Sequence, residues 1–174
     1  MSQPFRLMSH NPTWKQEYEQ TRSSLLQATE GWLTDTMHIG GTGIADAVTR
    51  PVIDVMAGLS DLQALNEVSQ LIEGLNFRRE ATPEWCDDEL CSFLVKPRTG
   101  EATHTVLLVK HEDRIWSQTS RMQKQFESTP FLAAELKQTK VEHYKAGCSA
   151  EESYQSAKAV FFADVVDRLQ SDQK

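Results

Sequence analysis

Along the first third of the chain, apolar residues recur first at helical spacing and then in β-type runs. Helical spacing of apolar residues from 12 to 31 predicts an amphipathic first helix, which the pair Asn11-Pro12 would start. A short β-type run at 34–39 follows, and it ends at 40–43, where Gly-Gly-Thr-Gly predicts a tight turn. The apolar run 51–58, rich in β-branched residues, predicts a buried strand.

The middle of the chain predicts a helix and then a hairpin. Ser60 followed by Gln63 is a capping-box pattern, and it opens an apolar stripe at helical spacing that stops at Gly74. Two β-type runs at 90–96 and 103–110 flank a turn-like Pro-Arg-Thr-Gly segment, which predicts an antiparallel hairpin. Further elements are expected nearby: an edge strand at 77–79 and an exposed acidic loop at 82–89.

The last third of the chain has helical periodicity throughout. Three helices are predicted, starting at Asp113, Thr129 and Ser149, and the polar tail 171–174 should fray. No repeat or composition shift divides the sequence, so residues 1–170 are expected to form a single domain. The predicted fold class is α+β, a small mixed β-sheet covered by helices that lie largely on one side of it.

Charge and composition restrict the partners. The 174 residues contain 18 Lys and Arg against 25 Asp and Glu, a net charge of −7. This balance disfavours extended nucleic acid or an anionic membrane as a partner, whereas a small phosphate ester can still bind in a local pocket. The amino terminus lacks a signal-like apolar stretch, and the apolar runs are too short to span a membrane, so a cytoplasmic protein is expected.

The cysteines fit a reducing compartment. Cys86, Cys91 and Cys148 are odd in number and contain no Cys-x-x-Cys pair. We therefore expect free thiols that the fold does not need.

Residues 38–58 contain the candidate chemistry. The glycines Gly40, Gly41 and Gly43 let the backbone approach a ligand closely, and Thr42 adds a hydroxyl donor. Asp54 lies inside an apolar strand, where a carboxylate is costly to bury unless it is paired, hydrogen-bonded or bound to a metal. Mg²⁺ with a nucleoside triphosphate is one such partner, because this ion takes one or two protein carboxylates and otherwise phosphates and water.

Each polar candidate also has a structural interpretation. In the structural interpretation, Asp54 would accept hydrogen bonds from backbone amides or pair with Arg50. In the functional interpretation, Arg50 would neutralise a phosphate. His38 either orients a ligand or Asp54, or is a half-buried strand residue. His104 is either a catalytic residue, as a metal ligand or proton-transfer group, or an exposed hairpin histidine.

The glycine turn followed by an acid on the next strand resembles the signature of polymerase-β-like nucleotidyltransferases. That signature has a second acid two positions after the first, where this chain has Met56. A closer resemblance rests on three segments, Asn11-Pro12-Thr13-Trp14, His38-Ile39-Gly40-Gly41-Thr42 and Arg50-Pro51-Val52-Ile53-Asp54-Val55, with Trp116, Pro130, Tyr154 and Lys158 further along. Over nearly the whole chain the sequence resembles the GrpB family of small bacterial proteins, to which a nucleotidyltransferase-like fold is ascribed.

This chain departs from the family pattern at several polar positions. The Arg-rich strand of the family is replaced by Leu-Cys-Ser-Phe at 90–93, its Thr-His-His-Leu-His strand keeps only His104, and its Arg-Asp pair is replaced by Gln123-Lys124. The resemblance therefore implies a divergent member. Two hypotheses follow from these residues. One is a protein that binds a Mg²⁺-nucleotide and transfers a nucleotidyl group to an acceptor; the other is a catalytically inactive relative that serves as a ligand-sensing or protein-interaction module.

Overall fold

The computed structural model describes residues 8, 10–44, 50–83 and 86–128. Three helices, five strands and two short 3₁₀ turns are formed by these residues. They are α1 (Thr13–Ala28), β1 (Leu33–Ile39), a 3₁₀ turn (Gly41–Gly43), β2 (Ile53–Leu59), a second 3₁₀ turn (Leu62–Ala64), α2 (Leu65–Glu73), β3 (Arg78–Glu80), β4 (Cys91–Lys96), β5 (His104–Lys110) and α3 (Arg114–Ser128).

The five strands form one mixed sheet in the order β1-β2-β5-β4-β3. β1 and β2 are antiparallel, β2 and β5 are parallel, and β5, β4 and β3 continue antiparallel. The predicted α+β class, the β4–β5 hairpin and the short third strand are therefore confirmed. The strands that contain His38 and Asp54 are direct neighbours, as the short connection between them predicts.

Helices cover both faces of the sheet, which corrects the expectation that they lie largely on one side. α1 and α2 pack on one face, against a buried cluster that includes Val55 and Ala57 of β2. α3 packs on the other face, where Trp116 joins a second buried cluster with Met56. Successive residues of a strand point to opposite faces, and β2 is apolar on both of them, so each face needs its own cover.

The helix starts differ in detail from the sequence patterns. Asn11 accepts a hydrogen bond from the amide of Thr13 at 3.0 Å, so it caps α1 as predicted. Before α2, Asp61 caps the 3₁₀ turn that leads into the helix, and its carboxylate accepts from the Gln63 amide at 2.9 Å. The predicted Ser60–Gln63 capping box is wrong by one residue. α2 ends at the predicted Gly74.

The cysteine prediction is corrected by a disulfide between Cys86 and Cys91. A turn that precedes β4 brings their Cα atoms to 6.6 Å, which is within the range that a disulfide spans. Several predicted features lie outside the described residues: Trp85 of the acidic loop, Cys148, the predicted helices after 128 and the 171–174 tail. Within the described part of the chain, no helix has the length and apolar character needed to cross a membrane.

Candidate functional site

Asp54 is the second residue of β2, at the end of the strand that lies next to the glycine turn, and it is on the face that α3 covers. Its cross-strand neighbours are Ile39 of β1 and Thr105 of β5, and cross-strand neighbours point to the same face. The carboxylate is half-buried, while the flanking Ile53 and Val55 are 1% and 0% exposed. The Thr105 hydroxyl donates to Asp54 Oδ1 at 2.6 Å, a short charge-assisted hydrogen bond. Asp54 is therefore held from one side, by a neighbouring strand.

Gly40 lies against the other oxygen of Asp54. Its backbone has φ 72° and ψ −170°, a region that only glycine adopts readily. A Cβ atom on residue 40 would come within 2.5 Å of Asp54 Oδ2, and no real side chain tolerates that distance. Two independent reasons thus require glycine here, and one of them is the carboxylate itself.

The turn after Gly40 is a single 3₁₀ turn closed by its own backbone. The Gly43 amide donates to the Gly40 carbonyl at 3.2 Å, and the Ile44 amide donates to the Gly41 carbonyl at 3.1 Å. Thr42 is 2% exposed, and its hydroxyl donates to the Val52 carbonyl at 3.1 Å. This hydroxyl ties the turn to the start of β2, so it is not the outward donor that the sequence suggested.

His38 lies on the α1 face of the sheet, opposite to Asp54. It pairs with Val55 in the β1–β2 register and stacks on Tyr18 of α1, with ring centroids 4.7 Å apart. Since the Thr42 hydroxyl already donates to a carbonyl, it accepts from His38 Nε2 at 2.9 Å. Burial lowers the pKa of His38 to about 4, against an opposing pull from Asp54, so the ring is neutral at pH 7. The hydrogen bond with Thr42 thus connects the glycine turn to His38 on the α1 face of the sheet.

His104 also lies on the face opposite to Asp54. In the parallel register it pairs with Ile53, one position before the carboxylate, and its Nδ1 is 2.8 Å from the Thr103 hydroxyl. Burial, and then the positive charge of Lys96, lower its pKa below the usual value. The structure therefore does not bring His104 together with Asp54 on one surface.

Arg50 precedes β2, and its carbonyl accepts a hydrogen bond from the Val52 amide at 2.8 Å. It is half-buried at the same end of the sheet as the glycine turn. The sequence-predicted set thus separates into Gly40 and Asp54, which lie against each other, and Thr42 and His38, which are hydrogen-bonded to each other. His38 and His104 both lie on the face opposite to Asp54.

Two residues of the site are not predicted from the sequence. Thr105 lies within an apolar strand, and Gln123 is only a departure from the family pattern. Gln123 of α3 is 5% exposed, and its side-chain amide bonds to both backbone groups of Gly40. Alternation within β5 gives a weak signal for Thr105, whereas no local pattern indicates the partner of Gln123.

Among the described residues of the site, Asp54 is the one carboxylate. The position two residues after Asp54 is Met56, which is 0% exposed. Within the described ranges, no three His, Cys, Asp or Glu side chains cluster closely enough to hold a metal ion. One hard oxygen donor fits an ion that takes its other ligands from phosphates and water, as Mg²⁺ does.

The comparisons with known proteins identify the family of this chain. The model of the GrpB protein family matches residues 4–168, so the chain belongs to the GrpB family. The curated Glutamate-rich protein GrpB of Alkalihalophilus pseudofirmus is 17% identical over 164 residues, 94% of each chain.

Among solved structures, a GrpB protein has the same fold. The crystal structure of conserved protein GrpB from Enterococcus faecalis matches with a TM-score of 0.82 and 16% identity, over 97% of this chain and 100% of that one. Cid1, solved in complex with its short product ApU, matches with a TM-score of 0.48 and 10% identity, over 74% of this chain and 39% of that one.

Proposed function

We propose that this chain binds a Mg²⁺-nucleotide at the edge of the sheet formed by the glycine turn and Asp54. The observation that carries the proposal is the contact between Gly40 and Asp54, in which the backbone of one residue is shaped to admit the carboxylate of the other. Here a half-buried acid keeps one oxygen bonded to Thr105 and the other beside the turn.

The chemistry of this donor set suits magnesium with a polyphosphate. Mg²⁺ commonly binds through one or two carboxylates and completes its shell with phosphate oxygens and water, so one protein ligand is enough when the nucleotide supplies the others. Asp54 would hold the ion, and the amides of Gly41 and Thr42, which have no hydrogen bond to another described residue, would face the phosphates. The ion would neutralise charge on the phosphates.

Binding is supported better than nucleotidyl transfer. The two-metal mechanism needs carboxylates that hold a second ion, and the described part of the chain offers one acid at this edge. His104, the candidate for proton transfer, and His38, the candidate for orienting a ligand or Asp54, both lie on the opposite face. The function we infer is therefore nucleotide binding without the usual two-metal transfer, as expected for an inactive, ligand-sensing relative of nucleotidyltransferases.

A thermal-shift screen of nucleoside triphosphates, with and without Mg²⁺, tests the proposal. A ligand at about 100 times its Kd stabilises the folded state by about 2.7 kcal/mol, which raises Tm by roughly 5–10 °C for a chain of this size. The shift should need Mg²⁺ and should vanish in Asp54→Asn. Asp87→Asn, the same change at an exposed acid, is the matched control and should keep the full shift.

Transfer is measured on the same samples as pyrophosphate release. We expect none above the background with any triphosphate. Asp54-dependent release at a constant rate would show instead that the chain is an active nucleotidyltransferase. No shift with any nucleotide would favour the remaining hypothesis, a protein-interaction module.

A further inference from the structure

The side chain of Gln123 connects α3 to the glycine turn. Its Oε1 accepts a hydrogen bond from the Gly40 amide at 3.0 Å, and its Nε2 donates to the Gly40 carbonyl at 3.3 Å. The two residues are 83 positions apart, and the Gln123 side chain is 5% exposed. A single amide thus pairs with the donor and the acceptor of one backbone residue, in the way that a neighbouring strand would.

Gly40 is the residue whose orientation decides the geometry of the site. Its Cα lies against Asp54, and its carbonyl also accepts the hydrogen bond from Gly43 that closes the turn. Gly43 also lies close to the side-chain amide of Gln123, since a Cβ on residue 43 would come within 3.0 Å of Gln123 Nε2. Gln123 is therefore packed between the first and last glycines of the turn, and both need to lack a side chain.

We propose that Gln123 is the positioning residue of the Asp54 site, and that α3 thereby forms part of the ligand-binding unit. This inference rests on the proposed function and extends it. Gln123 does not touch the ligand, because both of its polar atoms are bonded to Gly40. It acts by fixing the Gly40 peptide groups, which in turn fix the distance between the turn and the Asp54 carboxylate.

The chemistry of the side chain makes this role specific to an amide. Glutamine has a carbonyl acceptor and an N–H donor on one planar group, and Gly40 offers the complementary pair. In Gln123→Glu the acceptor for the Gly40 amide is kept, but an ionised carboxylate would place an oxygen against the Gly40 carbonyl. When protonated, the same carboxyl has an O–H donor and restores the pattern. Burial raises the pKa of a carboxyl, so the restoration falls at mildly acidic pH.

The first test needs no ligand and follows the Gly40 amide by NMR-detected hydrogen exchange. In the full wild-type chain this amide should be protected. In Gln123→Glu its exchange should be at least tenfold faster at about pH 8 and should return toward the wild-type value at about pH 5. Gln118→Glu places the same charge on α3 at a half-exposed position and is the control. Comparison of the two variants at each pH removes the pH effects that are common to both.

The second test measures binding of MgATP by calorimetry. The ratio of Kd for Gln123→Glu to Kd for Gln118→Glu should be about tenfold or more at about pH 8 and should approach one at about pH 5. A purely structural role would lower Tm but leave this ratio near one at both pH values.

The two tests separate the possible failures. If wild type binds no MgATP but the Gly40 exchange depends on pH as expected, the proposed function fails while the link between Gln123 and the turn stands. If Gln123→Glu and Gln118→Glu exchange alike at Gly40, the inference is wrong whatever the nucleotide result.

Discussion

Replacing Gly40 with alanine perturbs the contact that defines the site. The added Cβ atom would come within 2.5 Å of Asp54 Oδ2 and 3.3 Å of Asp54 Cγ, so the carboxylate must move. The backbone at φ 72° and ψ −170° disfavours any side chain as well. We therefore expect Gly40→Ala to be among the most destabilising small substitutions in the described chain.

The size of the loss follows from two terms. Backbone strain in this region costs about 1–3 kcal/mol. Displacement of Asp54 removes its hydrogen bond from Thr105, and a hydrogen bond to a charged group contributes about 1.5–3 kcal/mol. The sum is about 2.5–6 kcal/mol of unfolding free energy, a large share of the roughly 5–15 kcal/mol that stabilises a typical domain, and it lowers Tm by about 5–25 °C.

Urea unfolding of a matched set of variants measures each term. Gly100→Ala also has a positive φ, 97°, but nothing lies within 4 Å of the added Cβ, so it should cost only about 1–2 kcal/mol. In an Asp54→Ala background the clash disappears, and Gly40→Ala should cost only its backbone strain. Equal costs for Gly40→Ala and Gly100→Ala, with coupling to Asp54→Ala below about 0.5 kcal/mol, would refute the contact.

Two further predictions concern His38 and the cysteines. The folded pKa of His38 is about 4 and the unfolded value is about 6.5, so the unfolded state binds more protons between these two pH values. The free energy of unfolding should therefore fall as pH drops through this window, by about 2 kcal/mol after allowance for partial solvation. His38→Gln should flatten this pH dependence of the unfolding free energy, as measured by urea unfolding. Alkylation of the denatured, unreduced chain should modify two fewer thiols than alkylation after reduction, because Cys86 and Cys91 form a disulfide. Cys86→Ser should abolish this difference, and equal thiol counts in wild type would contradict the disulfide.

The strands and the lone acid of the site are predictable from local patterns. Short β-type runs predict β2, β4 and β5 to within two or three residues, because strand patterns are a local property of the sequence. Asp54 is conspicuous as a charge in an apolar strand, and the short connection from Gly43 to Arg50 predicts that β1 and β2 are neighbours. These features place the glycine turn and the carboxylate at one edge of the sheet.

The remaining features depend on long-range pairing. That His38 and Asp54 point to opposite faces follows from the register, in which Ile39 and not His38 lies opposite Asp54. Thr105 becomes a partner of Asp54 only through the parallel pairing of β2 with β5. Gln123 reaches Gly40 because α3 covers the second face of the sheet, which the sequence did not indicate.

Calorimetric titration of MgATP into wild type and Asp54→Asn tests the central claim most directly. Asparagine keeps an oxygen that can accept from Thr105, so the variant should be as stable as wild type or more so. The account predicts Mg²⁺-dependent binding to wild type that EDTA abolishes, and at least a tenfold weaker Kd in the variant. A large loss of stability in Asp54→Asn with unchanged nucleotide affinity would show that Asp54 only supports the fold and would contradict a metal site here.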